Sequence, residues 1–171
     1  SFLIGYQTPE EYFNFVGQLY GMNPSDVMLF LERFTEFFNG EILDSGKYIR
    51  NMSKGNKKKI GIAAALLGSP ELVILDEPFA NLDPSSQIRL KNLIRDLPPE
   101  LTVLMSSHDL AHVTEVCQRI VLLEDGKVIR DIKATVFNQL ARPCALAYDN
   151  GDIIREIDFV EFLLRYRLDN L

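Results

Sequence analysis

Apolar residues along this chain follow two rhythms. At 72–75 four of them stand in a row, Leu72, Val73, Ile74 and Leu75, and run into two adjacent carboxylates, Asp76 and Glu77, and then Pro78. A run that short, apolar on both faces and closed by a breaker, predicts a strand buried inside a parallel sheet, with its acids at the carboxyl end. A second run, LTVLM at 101–105, ends in Ser106, Ser107, His108 and Asp109 and predicts a neighbouring strand of the same kind. After each strand the spacing turns helical: Leu90, Leu93, Ile94 and Leu97 follow the cap Asp83-Pro84, and Leu110, Val113 and Cys117 follow Ser107 or Asp109. Segments 119–123 and 127–131 flank Glu124-Asp125-Gly126, a hairpin signal. Strand, helix, strand, helix, strand predicts a doubly wound α/β arrangement.

Upstream the pattern is helical throughout. Thr8, Pro9 and Glu11 form a capping box, followed by Tyr12, Phe15, Val16 and Leu19 on one face and a stop at Gly21. Asn23-Pro24 opens a second helix, expected to carry Val27, Leu31, Phe34 and Phe38 without interruption to Asn39-Gly40. Segment 9–49 thus reads as an all-helical insertion, preceded by a short strand at 2–6. A further helix starts near Ser53, carries Ile60, Ala63, Ala64 and Leu67, and stops at Gly68-Ser69-Pro70. Beyond the hairpin, a helix near 135–141, a turn at Asn150-Gly151 and a last helix with Phe159, Phe162, Leu163 and Tyr166 are expected. The resulting division is 1–7, 8–68, 69–132 and 133–171.

Composition narrows the class. The 171 residues, 47% hydrophobic and 25% charged, are those of an ordinary globular protein, and a net charge of −6 argues against nucleic-acid binding through the whole surface. No apolar run has the length of a membrane span and the first residues lack a signal peptide's basic region, so the expectation is a cytosolic protein without direct membrane insertion. Cys117 and Cys144 lack metal-ligand spacing and read as small buried apolar residues. Ser1 opens directly into a strand-like run, which suggests the carboxyl-terminal part of a longer protein.

Three polar groups are candidates for chemistry. Lys54, Lys57, Lys58 and Lys59 crowd a helix start, where the backbone already carries partial positive charge. Either a bound anion resolves the conflict, with Ser53 and Gly55 turning a hydroxyl and backbone N–H groups toward an oxyanion, or the lysines are a solvated face. Asp76 at a strand end suits Mg²⁺, and Glu77 beside it can orient or deprotonate a water. His108, one strand over, is either a sensor of a terminal phosphate or a hydrogen-bonding residue at a helix start.

At these residues the chain resembles the nucleotide-binding subunit of ABC transporters. Met52-Ser53-Lys54-Gly55-Asn56 looks like the LSGGQ signature, with Lys54 in place of a glycine and Asn56 in place of glutamine. LVILDEP resembles the Walker B segment, which implies Asp76 as the magnesium-side carboxylate and Glu77 as catalytic glutamate. Ala80-Asn81-Leu82-Asp83 resembles the D-loop, Ser107-His108 the switch histidine, and 120–129 the family hairpin. The resemblance spans roughly 8–131 and rests on four ordered motifs. It implies an incomplete P-loop NTPase-like (ABC ATPase) parallel-sheet core with an all-helical signature subdomain. The implied activity is hydrolysis of ATP with Mg²⁺ by a homo- or heterodimer, each signature acting on the nucleotide held by the other subunit. A membrane-spanning transporter subunit would be the further partner, holding the chain on the inner face of the cell membrane.

Two departures stand against it. No G-x-x-x-x-G-K-[ST] segment occurs in these residues, and the family pattern would put that phosphate cradle upstream. The loop around Gln7 is shortened, so Gln7 matches the metal- and transporter-sensing glutamine only in part. A truncated, non-catalytic ABC-like interaction module is therefore the alternative. ATPases of DNA repair or translation fit less well, because neither long heptad arms nor tandem domains with basic surfaces are visible.

Overall fold

The computed structural model describes residues 4–135. The chain forms two units, Ser1–His112 and Val113–Leu171.

In the first unit the capping box forms as expected: Thr8 N–H donates to Glu11 Oε2 at 2.8 Å and Glu11 N–H to Thr8 Oγ1 at 3.3 Å. Pro9, which has no N–H to lose, then starts α1 (Pro9–Leu19). Asn23 and Asp26 repeat the device at α2 (Pro24–Glu32). The uninterrupted second helix is not found. The chain leaves helical geometry at Phe34 (φ −102°, ψ 4°) and restarts as α3 (Thr35–Phe38). The Thr35 hydroxyl donates to the Glu32 carbonyl at 2.7 Å, and the change of direction buries Phe34, Phe37 and Phe38. Phe38 stacks at 5.8 Å on Phe34 and at 6.0 Å on Phe13. Burying these rings outweighs the interrupted helical ladder, because each contributes more than one net hydrogen bond does.

Residues 4–7 form a turn, and positions 2 and 3 of the strand expected at 2–6 lie outside the described residues. Gln7 N–H donates to the Ile4 carbonyl at 3.2 Å, and the Gly5 and Gln7 carbonyls accept from Arg50 and Ile49 at 3.0 and 2.9 Å. These backbone groups are thus committed to the segment ahead of the next helix and not to a sheet. That helix, α4 (Lys54–Leu66), buries Ile60, Ile62, Ala63, Ala64 and Leu66. It is followed by Gly68 at φ +85°, where a Cβ would lie 2.7 Å from the Tyr20 ring, so both backbone angle and space demand glycine.

β1 (Leu72–Asp76) and β2 (Thr102–Ser106) pair in parallel, joined by a crossover that contains α5 (Pro84–Arg95). The register runs from Leu72 opposite Thr102 to Asp76 opposite Ser106. The expectation of a strand buried on both faces is corrected: Val73 and Leu75 are buried, but Leu72 and Ile74 are 52% and 67% exposed, and Leu104 on β2 is exposed as well. Alternate residues point to opposite faces, and among the described residues only one face of this ladder is covered.

α6 (Leu110–Val116) starts where Asp109 Oδ1 accepts from Ala111 N–H at 2.9 Å. In the second unit β3 (Arg119–Glu124) and β4 (Lys127–Lys133) form the expected hairpin, turning through Asp125 and Gly126 at φ 48° and 73°. Arg119 binds Asp131 across the strands with two bonds, of 2.7 and 2.5 Å. Among the described residues β3 and β4 form a two-stranded sheet. Burial raises the pKa of the half-buried Cys117 thiol. The helix expected near 135–141, the turn at Asn150, the last helix and Cys144 lie outside the described residues.

Candidate functional site

Because β1 and β2 end in register, their terminal polar groups meet. Ser106 Oγ donates to Asp76 Oδ1 at 2.5 Å and accepts from the Glu77 N–H at 3.1 Å, while the same N–H lies 3.2 Å from the Ser106 carbonyl. Glu77 adopts φ 45°, a left-handed conformation costly for a residue with a Cβ and often found at functional sites. Its carboxylate lies against the end of β2: Oε1 accepts from His108 N–H at 3.0 Å and is 2.8 Å from His108 Nδ1. The two side chains remain open to solvent, at 83% exposure for His108 and 32% for Glu77.

A carboxylate fixed through one oxygen keeps the other for a water, which is the arrangement a general base requires. Asp76 is exposed, and Ser106 holds its Oδ1. Among the described residues no group of three or more His, Cys, Asp or Glu side chains could enclose a metal ion. A single oriented carboxylate of hard oxygen character nonetheless fits Mg²⁺, which retains water and takes few protein ligands.

The start of α4 is built differently. Ser53 Oγ accepts from Asn56 N–H at 3.0 Å and so caps its own helix. A Cβ on Gly55 would stand 2.9 Å from the Asn81 carbonyl, so the loop after β1, with Asn81 at φ 62°, presses directly on this turn. The glycine is required by that approach, a reason independent of any oxyanion.

Three of the four lysines have partners within the chain. Lys57 donates to the Arg50 carbonyl at 2.8 Å, and Lys58 donates to the Glu77 carbonyl. Lys59 is 2% exposed, 3.5 Å from Glu41 Oε2 and 6.0 Å from the centre of the Phe37 ring. Backbone carbonyls and one carboxylate provide the negative counterpart that the helix start itself lacks. Lys54 is exposed.

Asp83 caps α5, accepting from Ser85 Oγ at 2.6 Å and Ser86 N–H at 3.0 Å; the Ser85 hydroxyl above all, then Ser86, holds its carboxyl well below the usual range. Gln7 Oε1 is buried without a partner among the described residues, and no hydrogen bond joins Gln7 to Asp76 or Glu77. The fold therefore gathers Asp76, Glu77 and His108, brings Gly55 to the Asn81 loop, leaves Asp83 with local partners, and holds Gln7 by its backbone alone. Ser106 and Asn81 were missed as members of the site. The signal for Ser106 was its place directly after Val103, Leu104 and Met105, comparable with Asp76 at the end of its own apolar run.

Comparison with known proteins agrees in kind. Residues 32–113 match the family model described as AAA domain, putative AbiEii toxin, Type IV TA system. The chain is 36% identical over 131 residues to an uncharacterized ABC transporter ATP-binding protein of Alkalihalophilus pseudofirmus, covering 73% of this chain and 49% of that protein. It is 30% identical over 177 residues to another from Methanocaldococcus jannaschii, covering 92% of this chain and 65% of that protein. It therefore spans from half to just under two thirds of the length of these relatives. A solved structure of an ATP-binding subunit of an ABC transporter superposes with a TM-score of 0.71 at 26% identity, over 95% of this chain and 64% of that one. A dimeric ATP-binding cassette bound to ADP and Pi superposes with a TM-score of 0.65 at 24% identity, over 78% of this chain and 59% of that one, a likeness of fold.

Proposed function

We propose, from the premise that this chain is a relative of ABC transporter ATP-binding proteins and carries the fold of their ATPase domain, that it is the ATP-hydrolysing part of an ABC-type transporter. The observation that carries the reading is the contact of Glu77 Oε1 with His108 Nδ1 at 2.8 Å, next to Asp76 at the carboxyl end of a parallel ladder. Glu77 orients and deprotonates the attacking water. His108 holds the carboxylate and stands where a terminal phosphate would be met. Asp76 would hold the Mg²⁺ that accompanies the nucleotide; when bound, that ion would neutralise phosphate charge.

Ser53, Lys54, Gly55 and Asn56 act in trans, toward nucleotide on a second ATPase subunit of the same or a related kind. Asp83 belongs to the loop that lies between the two sites, and Gln7 senses the metal and the transporter. A membrane-spanning subunit holds the assembly on the inner face of the cell membrane; among the described residues no helix is long and apolar enough to cross a membrane. In the full-length protein, Glu77→Gln lowers turnover roughly 10²–10⁴-fold and leaves ATP binding intact. Equal loss of both would make Glu77 a structural residue and defeat the assignment.

The absence of a G-x-x-x-x-G-K-[ST] segment from these 171 residues supports a second reading, a non-catalytic interaction module. On either reading these residues alone release no phosphate from ATP, for want of the cradle that binds and stabilises it. The readings part in the full-length protein, which turns over ATP on the first and not on the second.

A further inference from the structure

We infer that Ser106 is a positioning residue for both acids of the site, an inference that rests on the ATPase reading above. Its hydroxyl is the one group among the described residues that bonds to Asp76 and Glu77 together: it donates to Asp76 Oδ1 at 2.5 Å and accepts from Glu77 N–H at 3.1 Å. The two bonds have different consequences. A hydroxyl has one proton, and here it is committed to Asp76, which fixes the rotation of that carboxylate. The oxygen lone pair serves Glu77, whose N–H also has the Ser106 carbonyl at 3.2 Å. Glu77 needs such restraint because its backbone stands at φ 45°, and relaxation toward an extended conformation would carry its carboxylate away from His108. Ser106 itself touches neither water nor nucleotide in this assignment. Its effect passes through Asp76 on the side of the ion and through Glu77 on the side of the water.

The test uses the full-length natural protein and compares Ser106→Ala with Ser106→Thr and Glu77→Gln. Turnover is measured against free Mg²⁺, alongside ATP binding and melting temperature. Ser106→Ala is expected to lower turnover roughly 10-fold, the scale of one hydrogen bond to a charged group, and to raise the Mg²⁺ concentration for half-maximal rate, with ATP affinity unchanged. Ser106→Thr, which keeps the hydroxyl, restores both. A Ser106→Ala enzyme with unaltered turnover and Mg²⁺ dependence overturns the inference, as does a Thr variant no better than Ala. Should the Ala variant not fold, Ser106→Cys, close in size and a poor donor, takes its place in the comparison. If Glu77→Gln remains active, the ATPase assignment of the acids is itself wrong. If Glu77→Gln is inactive and Ser106→Ala is not impaired, only the role of Ser106 falls.

Discussion

The strand end at Asp76 and the helix start at Ser53 both concentrate charge, and they settle it in opposite ways. At the helix start the charge is answered within the chain: Lys57 and Lys58 bond to carbonyls, Lys59 lies buried near Glu41, and Ser53 caps its own turn. At the strand end it is not. Among the described residues the acids Asp76 and Glu77 have one cationic partner, His108, and that only when it is protonated. Lys58 approaches Glu77 but bonds to its carbonyl and not to its carboxylate. Charge that a chain neutralises internally holds the fold together, whereas exposed charge that it orients without neutralising is available to an ion or a ligand. A run of lysines is therefore weaker evidence for a phosphate than two oriented carboxylates are for a cation.

That contrast breaks first at Asp76. Asp76→Ala in the full-length protein should lower turnover by roughly 10²–10³-fold, as removal of a preorganised electrostatic group does, while Lys57→Ala should leave steady-state ATP hydrolysis nearly unchanged. Comparable losses would mean that the helix start also carries working charge. Gly55→Ala comes next. Its Cβ would meet the Asn81 carbonyl at 2.9 Å, a backbone atom that can yield only by moving the loop, so a destabilisation of about 1–3 kcal/mol is expected in denaturant titration. Gly55→Asp adds bulk and should exceed it; an unchanged unfolding midpoint for either would show the approach to be looser than described.

Ser53→Ala should cost about 1 kcal/mol as a lost cap. If the signature also acts in trans, the variant additionally weakens ATP-dependent dimerisation, and mixing it with a cradle mutant returns about one working site per heterodimer. A stability loss with normal dimerisation would leave Ser53 a cap and nothing more. The smallest effect belongs to Asp83, whose carboxyl is held below its ordinary range by Ser85 and Ser86. Its folded pKa is the lowered one, so its contribution to stability is complete above the unfolded carboxylate range, near pH 4, and is lost as pH falls through the folded value. Asp83→Asn keeps an acceptor without the titration, and melting temperature should then fall less steeply below about pH 4. An unaltered slope would show that the cap does not contribute to acid sensitivity.

Much of this architecture is legible in local sequence. Thr8 with Glu11, Asn23 with Asp26, and Asp83 before Pro84 each announce a helix start because the donors they satisfy lie within three residues. The parallel strands and their terminal acids follow from apolar runs ended by polar residues, and Asp125-Gly126 announces its hairpin because few residue pairs tolerate those angles.

What escaped depends on neighbours distant in the chain. Helix periodicity through Phe34 and Phe38 is real, yet the chain breaks there because three rings are buried together. An apolar run cannot say which of its faces will be covered, so Leu72 and Ile74 were expected inside and lie exposed. Nor can a run of lysines disclose that Glu41 and the Glu77 carbonyl, 18 and 19 residues away, will receive two of them. The sequence by itself determined where elements begin and which polar residues stand at strand ends and helix starts, since caps, turns and strand ends act over a few bonds. Tertiary structure alone decided that Ser106 stands opposite Asp76 and that Asn81 presses on Gly55, because register and loop approach are set by packing between segments that the chain order leaves apart.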